Sequence, residues 1–266
     1  MKSIEDFKYA FASEIGTSHI NSNTAKQDYC LVREFNKNFS KYLICCVADG
    51  AGSAKYSDLS SKFISKLFVK KAISFLKENE ISSLNKEVVS SWFCCFQKVI
   101  LRAVRFYKLN SKRDFATTLL FCVLNSETNI FVQIGDGFIS SGNFEKLDCI
   151  FIPQNGEYLN TTNFATDDDV LNKFMYKKDD EKFERLVLST DGIELISFDF
   201  TNNKPHLKFF NPFFDMLEKT STSGFNFDVS KFISGFLNCQ RVNQNTDDDK
   251  TMLIISKIKN FENEAR

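Results

Sequence analysis

The stretch Tyr42-Leu43-Ile44-Cys45-Cys46-Val47-Ala48-Asp49-Gly50-Ala51-Gly52-Ser53 decides how the rest of the chain is read. Residues 42–48 form an apolar run long enough for a buried strand and short for a helix, and the run stops at Asp49-Gly50. A carboxylate therefore stands at a strand end. Gly50 and Gly52 let the main chain turn sharply and leave its carbonyls accessible, so side-chain and main-chain oxygens can converge on a hard cation. Asp-Gly is also ordinary turn chemistry, and taken alone the pair reads as a solvated turn.

Outward from this stretch, the same junction of apolar strand and carboxylate recurs. Asp28 precedes the apolar run 29–32 and by itself reads as a loop carboxylate. ATTLLFCVLN from Ala116 and NIFVQIG from Asn129 are strands joined by the short polar link 126–128. The second ends at Asp136-Gly137 with FIS directly after it, which predicts a hairpin with an Asp-Gly turn. RLVLST, 185–190, meets Asp191-Gly192, and Asp247-Asp248-Asp249-Lys250 enters the strand TMLIISKI. If Asp28, Asp49, Asp136, Asp191 and one of Asp247, Asp248 and Asp249 meet at one sheet edge, they form an oxygen-only site suited to magnesium or manganese.

Between these strands the 3.6-residue period predicts helices. Asp58 is a candidate cap for a helix with Leu59, Phe63, Leu67 and Ile64, Phe68, Ala72, Leu76 at fourfold spacing. A second helix is expected over 86–108, with Arg102, Arg105, Lys108, Lys112 and Arg113 near its end, where the dipole favours cations. Asn211-Pro212 predicts a cap and first helical position, and Val229, Phe232, Ile233, Phe236 and Leu237 mark a further helix. Residues up to Ile15 read as strand or helix alike. Residues 142–182, with acidic clusters at 167–169 and 179–181, read as a mobile excursion whose charges are solvated.

Composition narrows the function classes. The 266 residues are 43% hydrophobic with 30 Phe, and no Pro/Gly/Ser linker interrupts the apolar segments, so one domain over 1–266 is expected. Lys+Arg 34 against Asp+Glu 34 lacks the footprint of a dedicated nucleic-acid binder. No apolar run approaches the ~20 residues of a membrane span, and the N-terminus lacks a secretory apolar segment, which points to the cytoplasm. Eight cysteines without C-x-x-C spacing read as buried hydrophobes, and two histidines, His19 and His206, argue against a His-based metal cage.

Taken in order, QDYC (27–30), VADGAGS (47–53), ATTLL (116–120), IGDG (134–137), LVLSTDG (186–192) and DDKTMLII (248–255) resemble the motif series of the protein phosphatase 2C family of metal-dependent serine/threonine phosphatases. GTSHI with KQD, and ADGAGSA, look most like a bacterial subgroup. The resemblance implies an α+β fold, a four-layer α-β-β-α sandwich of two antiparallel sheets flanked by helices, with part of 142–182 as a flap beside the site. It implies two to three Mn2+ or Mg2+ ions. Asp49 matches the carboxylate bridging two metals and the Gly50 carbonyl a ligand of one of them. Asp191 and Asp248 match the remaining acids of the first metal, Asp28 matches an acid at the second, and Asp136 with Asp191 matches the place of a third. Asp248 ranks above Asp247 and Asp249 because the family ligand stands three residues before the threonine, here Thr251. The implied reaction is attack on a phosphoserine or phosphothreonine by a water that bridges the metals, without a protein nucleophile. The implied partners are phosphorylated proteins and a cognate serine/threonine kinase or its targets, with the chain itself a monomer.

The chain also departs from the family pattern. The arginine that grips phosphate in many members is missing from NSNTAKQD, leaving His19, Lys26 or Arg33 as candidates. The histidine that follows the first Asp-Gly in eukaryotic members is replaced by AGS, so the leaving group takes its proton from a water at the metals or from His19, which reads equally as a structural hydrogen-bonding residue. The loss of the arginine motivates a rival reading, a non-catalytic partner-binding module on the same fold. Asp247-Asp248-Asp249-Lys250-Thr251 also fits the D-x-D-x-T signature of haloacid-dehalogenase phosphatases, but it precedes the last strand where that signature follows the first. Cysteine-dependent phosphatase chemistry is excluded because no cysteine has an arginine six positions later.

Overall fold

The computed structural model describes residues 7–38, 40–154 and 162–258. Two sheets stack face to face. The first runs β12-β1-β13-β9-β6-β7, with β1 Phe7–Glu14, β6 Phe138–Gly142, β7 Leu147–Cys149, β9 Arg185–Ser189, β12 Gly224–Phe225 and β13 Lys250–Lys257. The second runs β2-β3-β4-β5-β8, with β2 Tyr29–Lys37, β3 Ser40–Ala48, β4 Leu119–Leu124, β5 Asn129–Ile134 and β8 Met175–Asp179. All pairings are antiparallel except the short β1–β12 contact. Phe198–Asp199 (β10) and Lys204–Pro205 (β11) form a separate small hairpin.

β3 shows why the sandwich forms. Tyr42, Ile44, Cys46 and Ala48 enter the core beneath helices α2 (Ser57–Glu78) and α3 (Lys86–Phe106). The alternate residues Leu43, Cys45 and Val47 enter the core between the sheets, against Leu188, Leu253 and Ile139. A strand buried on both faces reads as an unbroken apolar run, and the period of two divides it between two cores. The first sheet's outer face carries Val187, Met252 and Ile254 against α6 (Leu207–Glu218) and α7 (Phe227–Leu237), which completes the expected four layers. No helix among the described residues is long and apolar enough to cross a membrane.

Several local expectations are corrected. Asp136-Gly137 does not close a hairpin: β5 belongs to one sheet and β6 to the other. Gly135, at φ +110, makes the turn between the sheets, a conformation that strains residues bearing a Cβ. Pro212 lies inside α6, and Asn211 accepts a hydrogen bond from Arg185 where a cap was expected. The apolar face of Phe210, Phe213, Phe214 and Leu217 packs on the sheet and outweighs the proline's missing donor. Asp58 sits in the first turn of α2 and is not its cap, while Asn85 and Asn226 cap α3 and α7 by accepting from Val88 N and Val229 N. α3 ends at Phe106, short of Lys108.

Within 142–182 the structure forms β7, the short helix α4 (Val170–Lys173) and β8, which extends the second sheet; 155–161 lie outside the described residues. The Asp168 carboxylate is 98% exposed, as the solvated reading expects, and pairs with Lys112, while Asp167 and Asp169 pair with Lys173.

Candidate metal centre

The carboxylates are collected at one edge of the sandwich by both sheets. Asp49 follows β3, Asp136 lies on the crossing from β5 to β6, and Asp191 follows β9. One oxygen from each of these three lies within 4.8 Å of the others. The charge of Asp28, just before β2, also acts on Asp49. Asp248, just before β13, is exposed and outside the group of three, yet its charge acts on Asp49 and Asp191.

Threonines from the same motifs hold this edge together. The Asp49 amide donates to Thr118 Oγ1 at 3.0 Å, and the Asp49 carbonyl accepts from Thr117 Oγ1 at 2.9 Å and Thr118 N at 2.8 Å. Asp28, 3% exposed, accepts at Oδ2 from Thr190 Oγ1 at 2.9 Å and Thr251 Oγ1 at 2.6 Å. Thr162 donates to Asp136. Gly50 forms an isolated bridge with Thr117. Gly192 lies so close to the Asp249 backbone that a Cβ would strike the Asp249 carbonyl, so the turn after β9 packs directly on the loop before β13.

The electrostatics are those of like charges forced together. Burial raises the Asp49 carboxyl well above its ordinary range, with Asp191, Asp28, Asp136 and Asp248 adding to the effect. Burial and the charges of Asp136 and Asp248 do the same to Asp191. Asp28 is pushed up to about 7 by burial and by Asp249, against the lowering effect of its threonine donors. Burial also raises Asp136 and Asp248. A cluster of this kind is relieved by cations. Asp28 Oδ1 is buried without a hydrogen-bond partner, and the donor set is all oxygen, so the residues present fit a hard divalent ion.

The remaining candidates are distributed differently from the expectation. His19, 8% exposed, has Nδ1 at 2.9 Å from Asp249 Oδ1. Lys26 donates to the Ser13 carbonyl and hydroxyl. Arg33 is not at the acidic edge: it lies on β2 in a groove with Lys66, Lys70 and Lys77 of α2. Glu194 is absent from the sequence-based candidates, and Asp249, weighed there only as a metal acid ranked below Asp248, has a different role. Asp249 accepts from Gly16 N, Gln27 N and Asp28 N as well as meeting His19, and so ties residues 16–28 to β13. Glu194, beside Asp136, is raised to about 7 by burial and by that aspartate's charge. The threonines of ATTLL, LVLSTDG and DDKT signal the support of Asp49 and Asp28 that the structure shows, but they contact neither Asp249 nor Glu194.

The chain is 28% identical over 252 residues to serine/threonine-protein phosphatase 3 of Escherichia coli (strain K12), spanning 93% of this chain and 97% of that protein. Two solved structures share the fold. The catalytic domain of the serine threonine protein phosphatase PstP, in complex with 2 manganese ions, aligns with TM-score 0.60 at 14% identity over 96% of this chain and 100% of that one. RsbX in complex with magnesium aligns with TM-score 0.57 at 14% identity over 97% and 98%. The model of the protein phosphatase 2C family matches residues 15–238, and the chain belongs to that family.

Proposed function

We propose that this protein is a metal-dependent protein serine/threonine phosphatase that hydrolyses phosphoserine or phosphothreonine using manganese or magnesium. The observation that carries the reading is the convergence of Asp49, Asp136 and Asp191 at the end of a sandwich of this family. We assign Asp49 as the shared ligand, the Gly50 carbonyl, Asp191 and Asp248 as further ligands of one ion, Asp28 as an acid toward a second, and Asp136 with Asp191 toward a third. Bound there, the ions would lower the pKa of water for in-line attack on phosphorus and neutralise charge on the phosphoryl oxygens.

The protein's own part is to hold the acids ready. Thr117 and Thr118 fix the Asp49 backbone, Thr190 and Thr251 orient Asp28, and Asp249 anchors the loop that carries Asp28. We carry His19 as the candidate proton donor to the leaving group, its ring oriented by Asp249. His19→Gln should slow an alkyl phosphate more than an aryl phosphate; equal effects on both would leave His19 a positioning role. We further propose that 142–182 contributes to substrate selection, with phosphoproteins and their kinase as partners. The presence of every metal-site aspartate disfavours a non-catalytic module.

The test is hydrolysis of a phosphothreonine peptide with manganese, with chelator, and in Asp49→Asn. Turnover should require manganese and fall by about a thousandfold or more in the variant. A folded wild-type protein that neither binds manganese nor turns over the peptide would overturn the reading.

A further inference from the structure

We propose that the groove between α2 and β2 docks an acidic segment of the phosphoprotein substrate; the proposal rests on the phosphatase reading. The chain as a whole is electrically balanced, with Lys+Arg 34 and Asp+Glu 34. α2 is not: it carries five lysines against one aspartate and one glutamate. Lys62, Lys66, Lys70 and Lys77 are all exposed, and at 100° per residue they fall on one face of the helix. Arg33 projects from β2 into the same groove, on the helix side of the strand between Leu31 and Phe35. Among the described residues, none of these five cations forms an ion pair with a carboxylate.

The groove is built to take an extended chain. Its floor is apolar, from Leu31, Val69 and Ile73, and its walls are cationic. Its upper end adjoins the metal centre: Ser61 of α2 donates to the Gln27 carbonyl, one residue before Asp28, and β2 and α2 both run away from that point. From Lys62 to Lys77 the helix covers roughly 22 Å at ~1.5 Å per residue, the span of about seven extended residues. A substrate with its phosphoresidue at the acidic edge would therefore place carboxylates beside the lysines along the roughly seven residues that lead away from that edge, at ~3.3 Å per residue. The arrangement separates the two charges of such a substrate, with phosphate at the acid-and-cation centre and carboxylates on the lysine face. Attraction of this kind acts mainly on encounter and KM.

The experiment uses the full chain with manganese and compares p-nitrophenyl phosphate with phosphothreonine peptides. The peptides carry a five-residue Glu tail or a matched Gln tail, set on either side of the phosphothreonine. One Glu-tailed peptide should exceed its Gln-tailed partner by about tenfold in kcat/KM through KM, with the advantage removed by high salt. Lys66→Glu/Lys70→Glu should abolish the advantage while hydrolysis of p-nitrophenyl phosphate and of the Gln-tailed peptides is unchanged. Equal kcat/KM for both tails in the wild type, or a tail preference that survives the double substitution, overturns the docking proposal and leaves the phosphatase reading intact. Absence of turnover on every substrate overturns both.

Discussion

Two adjacent aspartates of the same loop do opposite things. Asp249, 2% exposed, receives three backbone N–H groups and contacts His19, whereas exposed Asp248 acts by its charge on Asp49 and Asp191. Asp249→Ala would leave the Gly16, Gln27 and Asp28 amides unpaired and should cost on the order of 3 kcal/mol or more in urea unfolding of the metal-free protein. Asp248→Ala removes a like charge from a crowded edge and should be neutral or stabilising there, while weakening manganese binding. Equal destabilisation by both would contradict this division. The motif order in the sequence picks out Asp248 but is blind to Asp249, whose four partners are more than 200 positions away along the chain. The raised carboxyls also set a pH response. A carboxyl raised in the fold stabilises when protonated, so this contribution is complete below about pH 4 and is lost as pH rises through about 7 for Asp28 and Glu194. The metal-free protein should therefore melt higher at pH 5 than at pH 8, and saturating manganese should reverse the order, as thermal unfolding in chelator and in metal can show.

At the scale of elements, α6 is fastened to the first sheet by a buried charge. Arg185 of β9, 2% exposed, donates from Nε and NH2 to the two oxygens of Glu218 at 2.8 and 2.7 Å and lies over the rings of Phe144 and Phe214. Glu218→Ala would strand the guanidinium and should destabilise by about 3–5 kcal/mol in denaturant unfolding. Asp215→Ala, whose carboxylate is mostly exposed and 3.4 Å away, should cost under about 1 kcal/mol. A comparable loss in both would show that the bidentate pair is not the fastening. This contact also explains why the Asn211-Pro212 reading failed, since a local capping pattern carries no information about an arginine 26 positions away. β8 was invisible for a different reason. MYKKD has no apolar alternation because an edge strand with outward lysines needs none, and its pairing to β5 is made by the backbone. Where a strand is buried on both faces, as β3 is, the sequence was sufficient.

At the scale of the whole molecule, the acidic edge exists only while the sandwich is closed, because Asp28 and Asp49 come from the second sheet and Asp191 and Asp248 from the first. Of the acids that the family resemblance brings together, Asp49, Asp136 and Asp191 form one group, with Asp28 and Asp248 acting on it by charge. Periodicity does not predict this grouping, because it does not say which sheet a strand joins, and for that reason the sequence at the Asp136 crossing predicts a hairpin. Ions that bind across two sheets bind the native state alone, so manganese at a hundredfold excess over Kd should add about 2.7 kcal/mol, or roughly 5–10 °C in unfolding temperature for a chain of this size. Leu188 is wholly buried between the sheets, three residues before Asp191, and touches no ligand. Leu188→Ala should cost about 2–5 kcal/mol yet retain the full manganese increment, since packing and ligation act at separate sites. Asp49→Asn should behave in the opposite way, keeping or raising metal-free stability through loss of a repelled charge while losing the increment. Differential scanning calorimetry of the three proteins with manganese and with chelator distinguishes the cases. A manganese shift that disappears in Leu188→Ala, or persists undiminished in Asp49→Asn, would mean that the ions are not held where the strands of the two sheets converge.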